Sequence, residues 1–232
     1  DPRGDQIPVL RLYSWKSPAI TIGYNQLPEK VLARIDIPDN LPIIRRVTGG
    51  RAIYHETTEI TFSLAMKIDV LPKELQALTA TNRLIAETVA DILSRVGIQA
   101  EWARESSANF KAKQTRSGAC FNSVSKYEIT NQGNKIAGGA QRRKGEAFLH
   151  QGTIKVNGIQ ENRGIGQSAA CAVTNLERIV PIDDFKKRFP QVFSEKWGIE
   201  FSETPFDGEI SAAAKKFEGI LAADPLRKEL FF

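Results

Sequence analysis

Three short segments hold residues that a fold alone would not require. The first, Arg45-Arg46-Val47-Thr48-Gly49-Gly50-Arg51-Ala52-Ile53-Tyr54-His55, sets a glycine pair among arginines and ends on a histidine. A glycine pair lets main-chain amides come close to a ligand's oxygens, and nearby arginines neutralise or hydrogen-bond acidic groups. A plain tight hairpin uses the same pair. The second, Gly118-Ala119-Cys120-Phe121-Asn122, places a cysteine among small residues in a loop, where a thiol is either a nucleophile or simply exposed. The third, Gly133-Asn134-Lys135-Ile136-Ala137-Gly138-Gly139-Ala140-Gln141, puts a lysine at the head of a strand running into a second glycine pair. Such a lysine is either solvated surface or a cation aimed at a developing negative charge.

The elements that must position these residues read from periodicity. Val9–Trp15 alternates in the β manner, Ala19–Tyr24 is a second β-like run, and Ile43–Val47 and Glu59–Met66 are two more, with Gly49-Gly50 between strands. After Pro72 the apolar spacing changes to threes and fours through Leu75, Leu78, Ile85, Val89, Ile92, Leu93 and Val96, one face of a long helix that Gly97 stops. Asn131-Gln132-Gly133-Asn134 is a hairpin loop between Tyr127–Thr130 and Lys135–Ala140, and Phe148–Val156 is a further strand. Beyond Pro181, Phe185, Phe189, Val192, Phe193 and Trp197 predict helices interrupted at Pro190, followed by another over Ile210–Leu221. The expected fold class is α+β: a mostly antiparallel sheet with helices on one side, forming a single domain over residues 1–232 with a small helical end from about 182.

The composition narrows the class of function. The 232 residues are 41% hydrophobic, enough for a substantial core. No run nears the roughly 18 apolar residues of a membrane helix and the start has no signal-peptide character, so a cytoplasmic protein with no membrane partner is expected. In that compartment the two cysteines, Cys120 and Cys171, are expected as free thiols rather than one disulfide. The net charge of +5 favours acidic partners. Gln141-Arg142-Arg143-Lys144 lacks the interleaved aromatics of a single-strand binder, and no zinc-finger, KH or RRM signature is present, which argues against nucleic acid.

In content, order and spacing the three segments resemble those of the lipoate-protein ligase A/B family. Arg45 to His55 matches its "RR-x-TGG-R-A-[VI]-x-H" motif, and Lys135 to Gln141 is similar to "K-[IV]-x-G-S-A-Q" with Gly139 for serine. The likeness runs from Arg11-Leu12-Tyr13-Ser14-Trp15 and Gly23-Tyr24-Asn25-Gln26 through Val173-Thr174-Asn175-Leu176. It implies the fold shared with biotin ligases and class II synthetases. It also implies substrate-binding roles for Arg46, Thr48, Gly49, Gly50, Arg51 and His55, for Gly138, Gly139 and Ala140, and for Gln151 and Gly152.

Within the family, Gly50-Arg51-Ala52 and Ala119-Cys120-Phe121 look like the LipM-type octanoyltransferase branch. That branch implies Cys120 as a nucleophile that stores an octanoyl group as a thioester, with Lys135 as the cation beside it. The implied partners are octanoyl-acyl carrier protein and, as acceptor, a lysine of an E2 lipoyl domain or the glycine cleavage H protein; no cofactor is required. The alternatives are an ATP- and magnesium-dependent lipoate ligase, for whose additional C-terminal domain the residues after Val180 leave little room, and a non-catalytic acyl-binding module. Cys171, in Ala169-Ala170-Cys171-Ala172-Val173, lacks the Pro-Cys-Gly pattern of another cysteine branch. Two departures stand out. Leu149-His150-Gln151-Gly152 puts histidine one place before its family position, and the family's strand and helix ahead of Leu10–Tyr13 need more residues than precede it here.

Overall fold

A six-stranded sheet carries the lysine segment, Lys135 to Gln141, near its centre. The computed structural model describes residues 8–33, 41–104, 126–132, 134–155, 180–204 and 208–226. Its strands are β1 (Val9–Tyr13), β2 (Ala19–Ile22), β3 (Ile43–Arg45), β4 (Ile53–His55), β5 (Ile60–Lys67), β6 (Glu101–Trp102), β7 (Ile129–Asn131), β8 (Asn134–Lys144) and β9 (Ala147–Ile154). The helices are α1 (Pro28–Leu32), α2 (Leu78–Arg95), α3 (Ile182–Trp197) and α4 (Gly208–Ala223). The large sheet runs β1-β5-β9-β8-β7-β6, antiparallel throughout.

Alternation decides which face of this sheet is dry. Ile60, Phe62, Leu64 and Met66 of β5 and Phe148 and Ile154 of β9 point one way, onto Ile85, Val89, Ile92 and Leu93 of α2 and Phe185, Phe189, Val192 and Phe193 of α3. Thr61 and Thr153 point the other way, towards the segment that carries Gly49 and Gly50. The long helix is shorter than its apolar spacing predicts: Leu75 closes a separate 3₁₀ turn and Leu78 is 48% exposed, so the buried stripe starts at Thr81.

Pro190 does not interrupt α3, which continues through it to Trp197. A mid-helix proline costs about 3 kcal/mol. Each buried Phe returns about 1.5–3 kcal/mol, and Phe185, Phe189 and Phe193 form a ladder with ring centroids 6.3 and 6.1 Å apart. Phe62 of the sheet meets Phe189 at 5.3 Å, and the Trp197 indole donates to Thr88 Oγ1 at 2.8 Å, so packing outweighs the missing backbone bond.

A second, three-stranded sheet, β3-β2-β4, pairs β2 with β3 in parallel and β2 with β4 antiparallel, leaving the pairing among the described residues mostly antiparallel as expected. Every residue of β2 is buried, and Ile20 and Ile22 pack with Val31 and Ala52 in a small core of their own. This sheet holds the start and end of the glycine-pair segment, Arg45 in β3 and Ile53–His55 in β4, against the face of the large sheet opposite the helices.

Candidate active site

The glycine-pair loop is built by its two arginines in different ways. Arg45 is buried, and its Nη1 donates to the carbonyls of Tyr24 and Gln26 at 2.8 Å and Gly23 at 3.2 Å while Nε donates to Leu226 O at 2.8 Å. It ties together the β2–α1 turn and the residues after α4. Arg46 clamps the loop itself: Nη2 donates to the carbonyls of Gly49 and Arg51, both at 2.7 Å, and Nη1 to Thr21 Oγ1 at 3.1 Å. Gly50 sits at φ +90°, a left-handed conformation that favours glycine. Gly23 is required opposite it, because a Cβ there would lie 2.0 Å from the Gly50 carbonyl oxygen.

Between this loop and the sheet lies a cavity of about 240 Å³. The site residues that meet in its wall are Arg46, Gly50, His55, Gly138, Gly139, Ala140 and Gln151. Thr48 stands behind them, fully buried, donating to Gln151 Oε1 at 2.9 Å. Gly49 contributes its carbonyl to the Arg46 clamp. Gly152 faces the helices instead, where a Cβ would collide with the Phe62 ring. Arg51 lines a second cavity, which also touches Gly50, Gly138 and Gly139. His150 and Gln151 point to opposite faces, as neighbours in a strand must: Gln151 to the loop side, His150 to the helix side, stacked on Phe62.

The end of the first cavity is a polar network that the sequence does not reveal. His55 stacks on Trp15 with centroids 4.1 Å apart, its Nε2 lies 2.7 Å from Thr21 Oγ1, and its Nδ1 lies 2.5 Å from Glu59 Oε1. The other Glu59 oxygen pairs with Lys155 Nζ at 2.5 Å, and Lys155 also donates to Tyr54 O at 2.6 Å. Burial pushes the His55 pKa down, more strongly than Glu59 raises it, with the Lys155 and Arg46 cations adding to the lowering. The carboxyl of Glu59 is held below its ordinary range: burial opposes ionisation but is outweighed by Lys155 and the His55 hydrogen bond. A neutral His55 facing an ionised Glu59 must donate from Nδ1 and accept at Nε2 from the Thr21 hydroxyl, which in turn accepts from Arg46. Trp15 Nε1 donates to Thr61 Oγ1 at 3.0 Å, and Thr61 donates to Glu59 Oε1 at 3.2 Å. Apolar ring faces thus close the cavity while its polar atoms are paired with one another.

Lys135 owes its direction to a bulge. Ile129 pairs with Ala137 but Thr130 with Lys135, so Ile136 is an extra residue on β8. Ile136 and Ala137 both enter the helix-side core, and Lys135 turns to the Gly138 side. Its side chain is 1% exposed, and its ammonium meets Glu128 Oε1 at 2.6 Å and would stand 3.2 Å from a Cβ on Gly138. Glycine at 138 is therefore what lets this cation lie against the wall shared by both cavities. Cys120, the predicted nucleophile, and Cys171 lie outside the described residues.

Sequence reasoning missed Tyr13, Trp15, Thr21, Glu59, Glu128 and Lys155 as parts of this region. Trp15 and Tyr13 lay in a segment read as family-like, but only strand register sets Tyr13 opposite Thr61. Glu59 and Lys155 are 96 positions apart in sequence and carry no local signal.

With the geometry in hand, comparison with known proteins is decisive. Residues 2–194 match the lipoyl protein ligase A/B catalytic domain. The chain belongs to this family. An octanoyltransferase LipM of an Exiguobacterium species is 29% identical, with 93% of this chain and 86% of that protein aligned. The octanoyltransferase LipM of Bacillus cereus is 34% identical over 63% of this chain, a match that spans 53% of its own length. Among solved structures, a lipoate-protein ligase A bound with ATP superposes with a TM-score of 0.70 at 24% identity, covering 92% of this chain and 82% of that one. A bi-partite lipoate protein ligase from Thermoplasma acidophilum gives 0.64 at 21%, covering 92% and 80%. At these identities the structures speak to the fold, and the α+β architecture of this family is the one seen here.

Proposed function

We propose that the protein is an octanoyltransferase that takes an octanoyl group from an acyl carrier protein and passes it, through a thioester on Cys120, to a lysine of a lipoyl domain. The observation that carries this reading is the convergence of Gly50 from the glycine-pair loop and Gly138–Ala140 from the strand that Lys135 heads on one largely apolar cavity, in a chain whose curated relatives are octanoyltransferases. At about 240 Å³ the cavity is smaller than the roughly 300–1,000 Å³ of drug-sized sites, which suits a short acyl chain.

In the first step the Cys120 thiolate attacks the thioester carbonyl, the carbon–sulfur bond to the carrier breaks, and the carrier thiolate leaves and takes up a proton. In the second, the acceptor's ε-amine attacks the Cys120 thioester, an amide forms, the amine loses a proton and the Cys120 thiolate is released. Lys135 supports both steps by facing the negative charge that develops on the carbonyl oxygen, and Glu128 keeps its ammonium in place. The acyl group arrives activated, so neither ATP nor a metal ion takes part. Arg46 shapes the site through the loop carbonyls it holds.

The net charge of +5 suits acidic partners, namely the carrier and either an E2 lipoyl domain or the glycine cleavage H protein as acceptor, in the cytoplasm. No helix among the described residues is long and apolar enough to cross a membrane. The competing ligase reading is separated by ATP: transfer from octanoyl-carrier to a lipoyl domain is expected without nucleotide. An absolute requirement for ATP with free octanoate or lipoate would replace this reading by the ligase.

A further inference from the structure

The second cavity, about 260 Å³, lies on the helix side of β8 and is lined by Phe62, Ile85, Val89 and Ala137. It meets the first cavity at Gly50, Gly138 and Gly139. Because neither Gly138 nor Gly139 has a side chain, only the backbone separates the two spaces there. On the far side of that backbone stand the acyl cavity and, against Gly138, the Lys135 ammonium.

Two polar atoms in this apolar space have no partner among the described residues. One is His150 Nδ1, on a side chain 6% exposed, and the other is Asn82 Oδ1, on the first half of α2. A buried polar atom without a hydrogen bond is unfavourable by about 1–3 kcal/mol, and two in one cavity point to a ligand that pairs with them. His150 offers one donor or acceptor according to its tautomer, and Asn82 Oδ1 an acceptor. At the rim stand two cations, the exposed Lys126 and the half-buried Arg51. The walls therefore suit a chain of methylenes interrupted by amides, and the rim suits an anion at its outer end.

We infer that this cavity receives the donor's pantetheine-type arm, its amides on His150 and Asn82 and its phosphate toward Arg51 and Lys126. The inference rests on the thioester-donor reading above and deepens it. β7 pairs with β8 only as far as Ala137, so among the described residues Gly138 and Gly139 lie on an unpaired edge of β8; an arm lying here brings its sulfur end to that edge, around which the carbonyl reaches Lys135 and the acyl tail the first cavity. Such an arm is carried both by coenzyme A and by acyl carrier proteins, and the cavity recognises what the two have in common.

The test uses the full chain and 4′-phosphopantetheine as probe, titrated by calorimetry against wild type, Asn82→Leu and His150→Phe. Both substitutions put an apolar side chain where an unpaired polar atom stood, and both proteins are expected to melt no lower than wild type. Either should weaken probe binding about tenfold, whereas Arg51→Ala and Lys126→Ala should weaken 4′-phosphopantetheine but not unphosphorylated pantetheine. In transfer assays, the ratio of kcat/KM for S-octanoyl-pantetheine over S-octanoyl-ethanethiol should fall in His150→Phe, because only the former has an arm to lose. Equal proportional losses with octanoyl-coenzyme A and octanoyl-carrier identify the arm as the recognised part; a loss confined to the carrier would move recognition to the carrier's surface and overturn the inference. So would unchanged probe binding in both apolar variants, or AMP binding there in place of the probe. If the probe binds through His150 while no thioester yields transfer, the octanoyltransferase reading fails and the site stands; if transfer proceeds with no dependence on the arm, the reverse holds.

Discussion

Lys135 and Lys155 stand at the ends of paired strands, both buried and both against a carboxylate, yet their carboxylates sit in different surroundings. The partner of Lys155, Glu59, is 1% exposed and enclosed by His55, Thr61 and Lys155. The partner of Lys135, Glu128, is 13% exposed and lines the second cavity. One pair is sealed beneath the first cavity, the other opens through Glu128 onto the second. A buried ion pair is poor proof of function by itself; what distinguishes these two is whether the carboxylate can reach solvent when its cation is engaged elsewhere.

That difference predicts opposite outcomes for the two lysines. Lys155→Met leaves the Glu59 carboxylate buried without its cation and should cost about 3–5 kcal/mol of stability in denaturant titration. Removal of Lys135 leaves Glu128 able to take water, so Lys135→Ala should cost only about 1–2 kcal/mol while slowing octanoyl transfer by at least about a hundredfold, as the loss of one oxyanion donor does. Lys135→Arg should recover little of the rate, since a planar guanidinium does not reproduce the compact ammonium beneath Gly138. Equal destabilisation by both substitutions would erase the distinction.

The pH dependence sharpens it further. The chain has two histidines, His55 and His150, and burial holds both below the ordinary value, His150 at about 4. A histidine kept neutral in the folded state is protonated first in the unfolded one, so stability is fully present above about pH 6.5 and falls as pH drops towards the folded pKa. For His150 the loss approaches about 3 kcal/mol by pH 4, and His150→Phe should flatten the stability curve between pH 6.5 and 4. The depressed carboxyl of Glu59 acts in a lower window, its contribution being lost as pH falls through its folded value below about 4.5. Unfolding free energies measured across pH 4–8 in wild type and His150→Phe read the histidine window, and parallel curves would contradict the histidine assignment.

Local periodicity was legible in the sequence, and strand register was not. The β-like alternation of Val9–Tyr13 and Ile60–Lys67 and the apolar stripe of α2 are periodic over enough residues to be read directly. The Gly49-Gly50 turn was legible because glycine is demanded by a positive φ and by the crowding at Gly23. Pro190 misled because helix propensity is a local quantity, while the Phe185–Phe189–Phe193 ladder that overrides it is a tertiary one. The extra residue at Ile136 cannot be seen without its partner strand, and it decides which face Lys135 takes. Arg45 and Arg46 are adjacent and chemically identical in sequence; only their acceptors separate the arginine that ties distant turns from the one that clamps the loop.

The central claim, covalent transfer through Cys120, is tested most directly by intact mass spectrometry after incubation with octanoyl-carrier in the absence of ATP. Wild type and Cys171→Ser should each gain one octanoyl group that hydroxylamine removes, and Cys120→Ser should gain none. An adduct that persists in Cys120→Ser and disappears in a folded Cys171→Ser, or transfer by Cys120→Ser at the wild-type rate, would contradict the account.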